Sequence, residues 1–332
     1  MPAHLCEVRG YGGGMGQRVD VQVLAPREVP LGGPRAMSVR RTLPARERSL
    51  VGAWCFVDHY GPDDVARTGG MDVAPHPHCG LATVSWLFEG EIEHRDSLGT
   101  LARVRPGEVN LMTAGHGIAH SEVSTDATSV LHGVQLWLAL PEGARERRPG
   151  FDHHVPEVVR PAEGVEVAVF LGSLAGSTSP VPTATPLLGA EVRLAPGATW
   201  ELDVPSSFEV GVLLDTGSVT YAGCSLSVGD LAVVGGEAGA EVSGRHTGLV
   251  LTAGDDGARL VVLGGPPFGE EIVMWWNFIG RSHEEVVAAR ASWNANEARF
   301  GHVDGYVPRA EGSWWIPAPE LPGVRLRSRA NR

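Results

Sequence analysis

His76-Pro77-His78-Cys79-Gly80-Leu81-Ala82-Thr83-Val84-Ser85-Trp86-Leu87-Phe88-Glu89-Gly90 sets two imidazoles two residues apart, just ahead of an apolar run that ends on an acidic residue and a glycine. On an extended chain, side chains at i and i+2 share a face, so His76 and His78 can share one ion. The apolar run, residues 81–88, is short and bounded by glycines, and it reads as a strand between turns. About forty residues on, the glycine-rich Ala114-Gly115-His116-Gly117-Ile118-Ala119 leads into His120-Ser121-Glu122, the same spacing with a carboxylate as second member. Neither pair means much alone: His283-Glu284-Glu285 repeats the spacing inside what reads as a helix cap.

The surroundings give the pairs their meaning. From residue 19 to 140 the chain alternates short apolar segments with Gly, Pro and Asp, the signature of strands joined by turns. Strands are expected over 81–88, 101–104, 109–113 and 130–140, the last with Val130, His132, Val134, Leu136 and Leu138 on one face. Many short, regularly punctuated strands imply a sandwich or barrel. The block between the two pairs contains Gly90, Gly99 and Pro106-Gly107, so in a small barrel the chain returns on itself and both pairs converge in the lumen. Three imidazoles and one carboxylate would then hold a transition metal, with one or two coordination positions left for water or substrate.

Residues 141–161, rich in Pro, Arg and Glu, read as a linker, and the strand pattern resumes at 165–171, 190–194, 208–214, 218–221 and 231–234. With 332 residues, two domains are expected. The halves also rhyme. Leu87-Phe88-Glu89-Gly90 and Arg105-Pro106-Gly107-Glu108 find counterparts in Leu214-Asp215-Thr216-Gly217 and Ser227-Val228-Gly229-Asp230, as duplication of one barrel would produce. The expected order is a flexible arm over 1–18, a metal-binding barrel over 19–140, the linker, a second barrel over 162–299 and an extended tail over 300–332. One helix is expected, over about 282–299, opened by the capping box Ser282-His283-Glu284-Glu285.

Composition removes several functions. All 27 basic residues are arginine, which excludes a Schiff-base lysine, a P-loop lysine and a Ser-x-x-Lys nucleophile. A formal charge of −12 argues against direct nucleic-acid binding. The run from Gly10 to Gly16 precedes no strand-to-helix pattern, so it reads as part of the arm rather than as a nucleotide cradle. Cys6, Cys55, Cys79 and Cys224 show no CxxC spacing and are expected to be reduced. No stretch has the length and apolarity of a membrane helix or the form of a signal peptide, so no membrane association and a cytoplasmic location are expected.

The central block resembles the pirin family. The similarity rests on His76-Pro77-His78-Cys79-Gly80, Thr83-Val84-Ser85-Trp86-Leu87-Phe88-Glu89-Gly90, His94-Arg95-Asp96-Ser97, Pro106-Gly107-Glu108 and the run from Met112 to Glu122. Phe56-Val57-Asp58-His59-Tyr60-Gly61-Pro62 and Asn277-Phe278-Ile279-Gly280-Arg281 extend it. The resemblance implies an all-β bicupin, two cupin-type barrels, with mononuclear iron, as Fe(2+), in the first. It places the metal's ligands on His76, His78, His120 and Glu122, with manganese, nickel, copper and zinc as the other candidates. A closed structural zinc site fits poorly, because such sites favour cysteine.

Pirins are associated with quercetin 2,3-dioxygenase activity, so the resemblance implies a dioxygenase that takes a phenolic or flavonol substrate and dioxygen. In that chemistry Glu122 serves either purely as a ligand or also as the base for a substrate hydroxyl. The alternative is a non-enzymatic, iron-dependent redox sensor that docks a regulatory protein partner. His59 and His94 are candidates to orient a ligand from behind. Cys79, Ala82 and His116 depart from the family's common Arg, Glu and Arg, which bears on the surroundings of the metal rather than on its ligands. Aligning the two halves on their turns, residues 87–90 with 214–217 and Pro106-Gly107 with Val228-Gly229, sets Asp203, Pro205, Val242 and Gly244 opposite the four ligands, so no donor set is expected in the second half.

Overall fold

The computed structural model describes residues 4–7, 20–30, 37–235, 244, 246, 248–308 and 314–331. It is dominated by strands, as expected, and forms two compact units that each draw on separate stretches of chain. One comprises Glu28–Arg40, Cys55–His153 and Gly269–Arg332 and carries all the candidate ligands; the other comprises Met1–Arg27, Arg41–Trp54 and His154–Phe268.

In the histidine-bearing unit, the strands that matter are β1 (Trp54–Asp64), β2 (Asp72–His78), β3 (Leu81–Glu89), β4 (Ile92–Asp96), β5 (Leu101–Val104), β6 (Val109–Thr113), β7 (Ile118–Ser124) and β8 (Val130–Ala139). They form two sheets, one ordered β2-β7-β4-β5 and the other containing β6-β3-β8-β1. Strand β3 is buried along all but its last residue, which explains its nearly continuous apolar sequence. Its register with β8 sets Ser85 opposite Gln135, so a polar member of each apolar strand faces the other. Between the sheets, Tyr60, Val73, Leu87, Ile92, Val104 and Leu131 pack into one apolar cluster.

The other unit is an 11-stranded sheet whose core strands are β9 (Val165–Leu174), β10 (Leu188–Leu194), β11 (Glu209–Tyr221), β12 (Leu231–Val234) and β13 (Val250–Gly265), in the order β12-β11-β13-β10-β9. Valine, leucine and isoleucine-sized side chains from these strands fill its interior. The segment 41–54 is fastened here: Arg48 pairs with buried Glu209 at 2.9 Å, and the other oxygen of Glu209 accepts from Gly52 N at 2.7 Å.

The duplication has a backbone signature. In the histidine-bearing unit, Gly107 N donates to Leu87 O and Glu108 N to Arg105 O; at the aligned positions of the other, Gly229 N donates to Leu214 O and Asp230 N to Ser227 O. Gly90 and Gly217, which end the paired strands, both have φ near +90°, at 91° and 80°. A Cβ would come within 2.5 Å of Val130 O at the first and 2.1 Å of Gly257 O at the second, so both turns require glycine.

Several expectations are corrected. Strand Asp20–Leu24 pairs with β12, so the chain from residue 20 enters the other unit before it builds the histidine-bearing one. Of the expected arm, His4–Glu7 is a strand paired with Asp20–Leu24, and the Gly10–Gly16 run lies outside the described residues. The expected linker contains strands Gly150–His154 and Val158–Ala162. The helix spans His283–Asn294, shorter than expected, with the 3-10 turn Ala298–Phe300 after it, and both belong to the histidine-bearing unit rather than to the second barrel. A single helical turn, Val65–Thr68, was not anticipated. Cys224 is disulfide-bonded, against the expectation of four reduced thiols, while Cys55 and Cys79 are free and buried. Among the described residues no helix is long and apolar enough to cross a membrane.

Candidate metal centre

Strands β2 and β7 are neighbours, and their register sets His120 directly opposite His76. Ring centroids of His76 and His120 stand 4.3 Å apart, those of His78 and His120 4.9 Å, and those of His76 and His78 5.0 Å. One ring nitrogen from each of the three lies within 4.8 Å of the other two. A register shift between His120 and Glu122 bulges β7, so that Glu122 falls opposite Val73 on β2 and opposite His94 on β4. His94, His120 and Glu122 form a second such group of donor atoms, and it shares His120 with the first.

The hydrogen bonds leave donor nitrogens bare. His76 Nδ1 donates to Ala74 O at 2.8 Å, so the lone pair of that ring is on Nε2. Buried His120 Nε2 and His78 Nδ1 have no hydrogen-bond partner. An unpaired buried nitrogen is costly unless an ion or water meets it. Burial, the largest cause, pushes His76 down to about 4; it drives His78 and His120 well below the ordinary imidazole value, with the neighbouring rings adding to the shift. All three rings are therefore neutral at pH 7, the form a metal needs.

Glu122 is buried and its carboxyl is pushed up by burial, which outweighs the opposing influence of His94 and of the hydrogen bond from Ser85. Ser85 Oγ lies 3.2 Å from Glu122 Oε1 and 2.9 Å from Gln135 Oε1. On the other side, His120 Nδ1 stands 3.4 Å from His94 Nδ1, and His94 Nε2 stands 3.4 Å from Asp96 Oδ2. Asp96 is anchored in turn: its Oδ1 accepts from Leu98 N at 2.9 Å and Thr100 N at 3.0 Å. Burial pushes the Asp96 carboxyl up, but the bonds from His94 and Thr100 prevail and hold it below the ordinary value. Trp137 meets His78 edge-on at 5.1 Å, and Phe151 lies 4.8 Å from His94.

The structure thus brings His76, His78, His94, His120 and Glu122 together. His59 is placed elsewhere, with its Nε2 3.2 Å from an Arg40 nitrogen and 3.4 Å from His132 Nε2. Cys79 packs with Phe278 and Ala119, its thiol pushed up to about 12 chiefly by burial, and it offers no donor to the cluster. Sequence reasoning missed Ser85, Gln135 and Asp96. The signal for Ser85 and Gln135 was a polar side chain within an otherwise apolar strand, and for Asp96 its i, i+2 spacing from His94. Among the described residues, no group of three potential donors lies wholly within the other unit.

Comparison with known proteins places these features in context. The Pirin family profile matches residues 36–138, and that of the Pirin C-terminal cupin domain matches 189–301. A Pseudomonas aeruginosa protein provisionally named quercetin 2,3-dioxygenase is 44% identical over 304 residues, 91% of this chain and 91% of the relative. A pirin-like protein of Caulobacter vibrioides is 35% identical, covering 85% of this chain and 94% of its own. The crystal structure of a quercetin 2,3-dioxygenase from Acinetobacter baumannii superposes with a TM-score of 0.83 at 35% identity, covering 94% of this chain and 98% of that one. The architecture is accordingly that of a bicupin.

Proposed function

The chain belongs to the pirin family, and on that premise we propose that it is a mononuclear iron dioxygenase acting on flavonol-like phenols, with His76, His78, His120 and Glu122 as the metal's ligands. The observation that carries this reading is the convergence of three neutral, buried imidazoles with a carboxylate beside them. Three nitrogen donors and one oxygen donor suit iron(II), and also manganese, nickel, copper or zinc. Bound there, iron would supply a Lewis-acidic, redox-active cation that acidifies a phenol and couples its oxidation to dioxygen.

The protein's own share is positioning and proton handling. The bond from His76 Nδ1 to Ala74 O fixes that ring's tautomer and orientation. Ser85, backed by Gln135, holds one oxygen of Glu122. With its carboxyl raised by burial, Glu122 is better suited than an exposed carboxylate to accept the proton of an incoming hydroxyl. Trp137 and Phe151 present apolar surface beside His78 and His94, which excludes water around the donors.

The test is oxygen uptake by iron-loaded protein with quercetin. Consumption above that of free iron, lost in His120→Ala together with bound iron, is expected. No consumption above free iron would overturn the dioxygenase reading and favour the redox sensor.

A further inference from the structure

On the outer face of β2 and β7 lies a cavity of about 420 Å³, open at its rim and lined wholly by residues of the histidine-bearing unit. Its floor is Pro75 and Ala119, the neighbours of His76 and His120. Because side chains alternate along a strand, these two face away from the histidine cluster. Its walls are Trp293, Tyr306, Trp314 and Trp315, from the helix and the C-terminal segment. Two edge-to-face ring pairs build those walls: Trp293 with Trp315 at 5.3 Å, and Tyr306 with Trp314 at 6.5 Å.

The walls are tied down. Ile316 N donates to Pro75 O at 2.8 Å, and Trp293 Nε1 donates to Ile316 O at 2.9 Å. Tyr306 donates its hydroxyl to Asp72 at 2.9 Å, and Asn294 exchanges two bonds with Ala318, at 2.9 and 3.0 Å. The cavity is therefore pre-formed rather than a gap beneath a loose tail. Yet Trp314 is 64% exposed, a large apolar ring left open to water at the rim.

The lining chemistry selects the occupant. Among the described residues no Asp, Glu or Arg lines the cavity, and its polar side chains are Asn296, His302, the already engaged Tyr306 and Trp293, and the indoles of Trp314 and Trp315. A carboxylate or phosphate would be desolvated there without a counter-charge. Indole faces favour flat π-systems, which stack on them with little regard to substituents. The volume lies toward the small end of the range for ligand pockets, room for one compact molecule of two or three rings.

We propose that this cavity is a binding site for an uncharged, flat aromatic molecule, separate from the metal centre. It lies outside the donor cluster and needs no metal. Asn296 and His302 supply the polar groups that meet a single carbonyl or hydroxyl at its edge.

Flavone is a suitable probe, being flat and uncharged and lacking the hydroxyl beside its carbonyl that chelation would require. Titrated calorimetrically into metal-free, full-length protein, it is expected to bind at one site and to quench tryptophan emission. Trp314→Ala, at an exposed rim position, should weaken binding at least tenfold while leaving the thermal unfolding midpoint of the protein unchanged. Trp314→Phe should recover most of it, and His120→Ala should leave it within twofold. Absence of saturable binding overturns the proposal. So does binding that survives Trp314→Ala but disappears in His120→Ala, which would place the probe among the histidines.

Discussion

Directly across from Glu122, His94 stands with one ring nitrogen toward His120 and the other toward Asp96. If His120 uses its bare Nε2 on a metal, its Nδ1 carries the proton and donates to His94 Nδ1, which leaves the Nε2 proton of His94 for the Asp96 carboxylate. The three residues then form one polarised chain that fixes the ring of His120 and raises its basicity. His94→Ala should accordingly lower metal affinity about ten- to a hundredfold by chelator competition, with Asp96→Asn acting in the same direction. Unchanged affinity in His94→Ala would remove that residue from the centre. The donors themselves were legible because i, i+2 spacing is a local property. Ser85 and Gln135 were harder to read, because their contact depends on cross-strand register, which local sequence does not record, whereas Asp96 stands at the same i, i+2 spacing from His94 and was legible in principle.

Elements were read best where their signal is local. The cap of the helix His283–Asn294 is such a case: Ser282 Oγ accepts from Glu285 N at 3.2 Å, while Glu285 reaches back to Arg281 N at 2.9 Å. Ser282→Ala should cost about 1 kcal/mol, read by urea unfolding, and Ser282→Asp should recover most of it. A cost near zero would mean that the helix is held by the packing of Val286, Ala289 and Trp293 alone. Its early end was harder to read. Asn296 adopts a φ of 54°, a left-handed conformation that stops the helix, whereas the apolar spacing alone suggested continuation toward 299. Hardest was the entry of Asp20–Leu24 into the other unit beside β12, a pairing across some two hundred residues that periodicity cannot record.

At the scale of the whole chain, the two units differ in what acid can do to them. The apolar core of the unit without the donor cluster is built from aliphatic side chains with Tyr221 and Cys224, none of which gains a proton between pH 7 and 4, and its buried Glu191, Glu209 and Asp215 are each paired with an arginine. The histidine-bearing unit buries His76, His78 and His120 as neutral rings whose values are depressed, to about 4 for His76. In the unfolded chain the same rings titrate near 6.5, so between pH 6.5 and about 4 the unfolded state binds more protons than the folded one. Stability of the metal-free protein is then fully present above pH 6.5 and is lost progressively as pH falls toward 4. Glu122 works the other way: its raised carboxyl contributes stability that is present below its unfolded value of 4.5 and lost as pH rises through its folded value. Three rings against one carboxyl leave the net slope positive. Thermal unfolding of chelator-treated protein should therefore show a lower midpoint at pH 5 than at pH 7. Substituting His76 and His78 together by asparagine should flatten that dependence. A midpoint that holds or rises on acidification would mean that the imidazoles are not buried as neutral groups, and the case for a donor cluster awaiting a cation would fall with it.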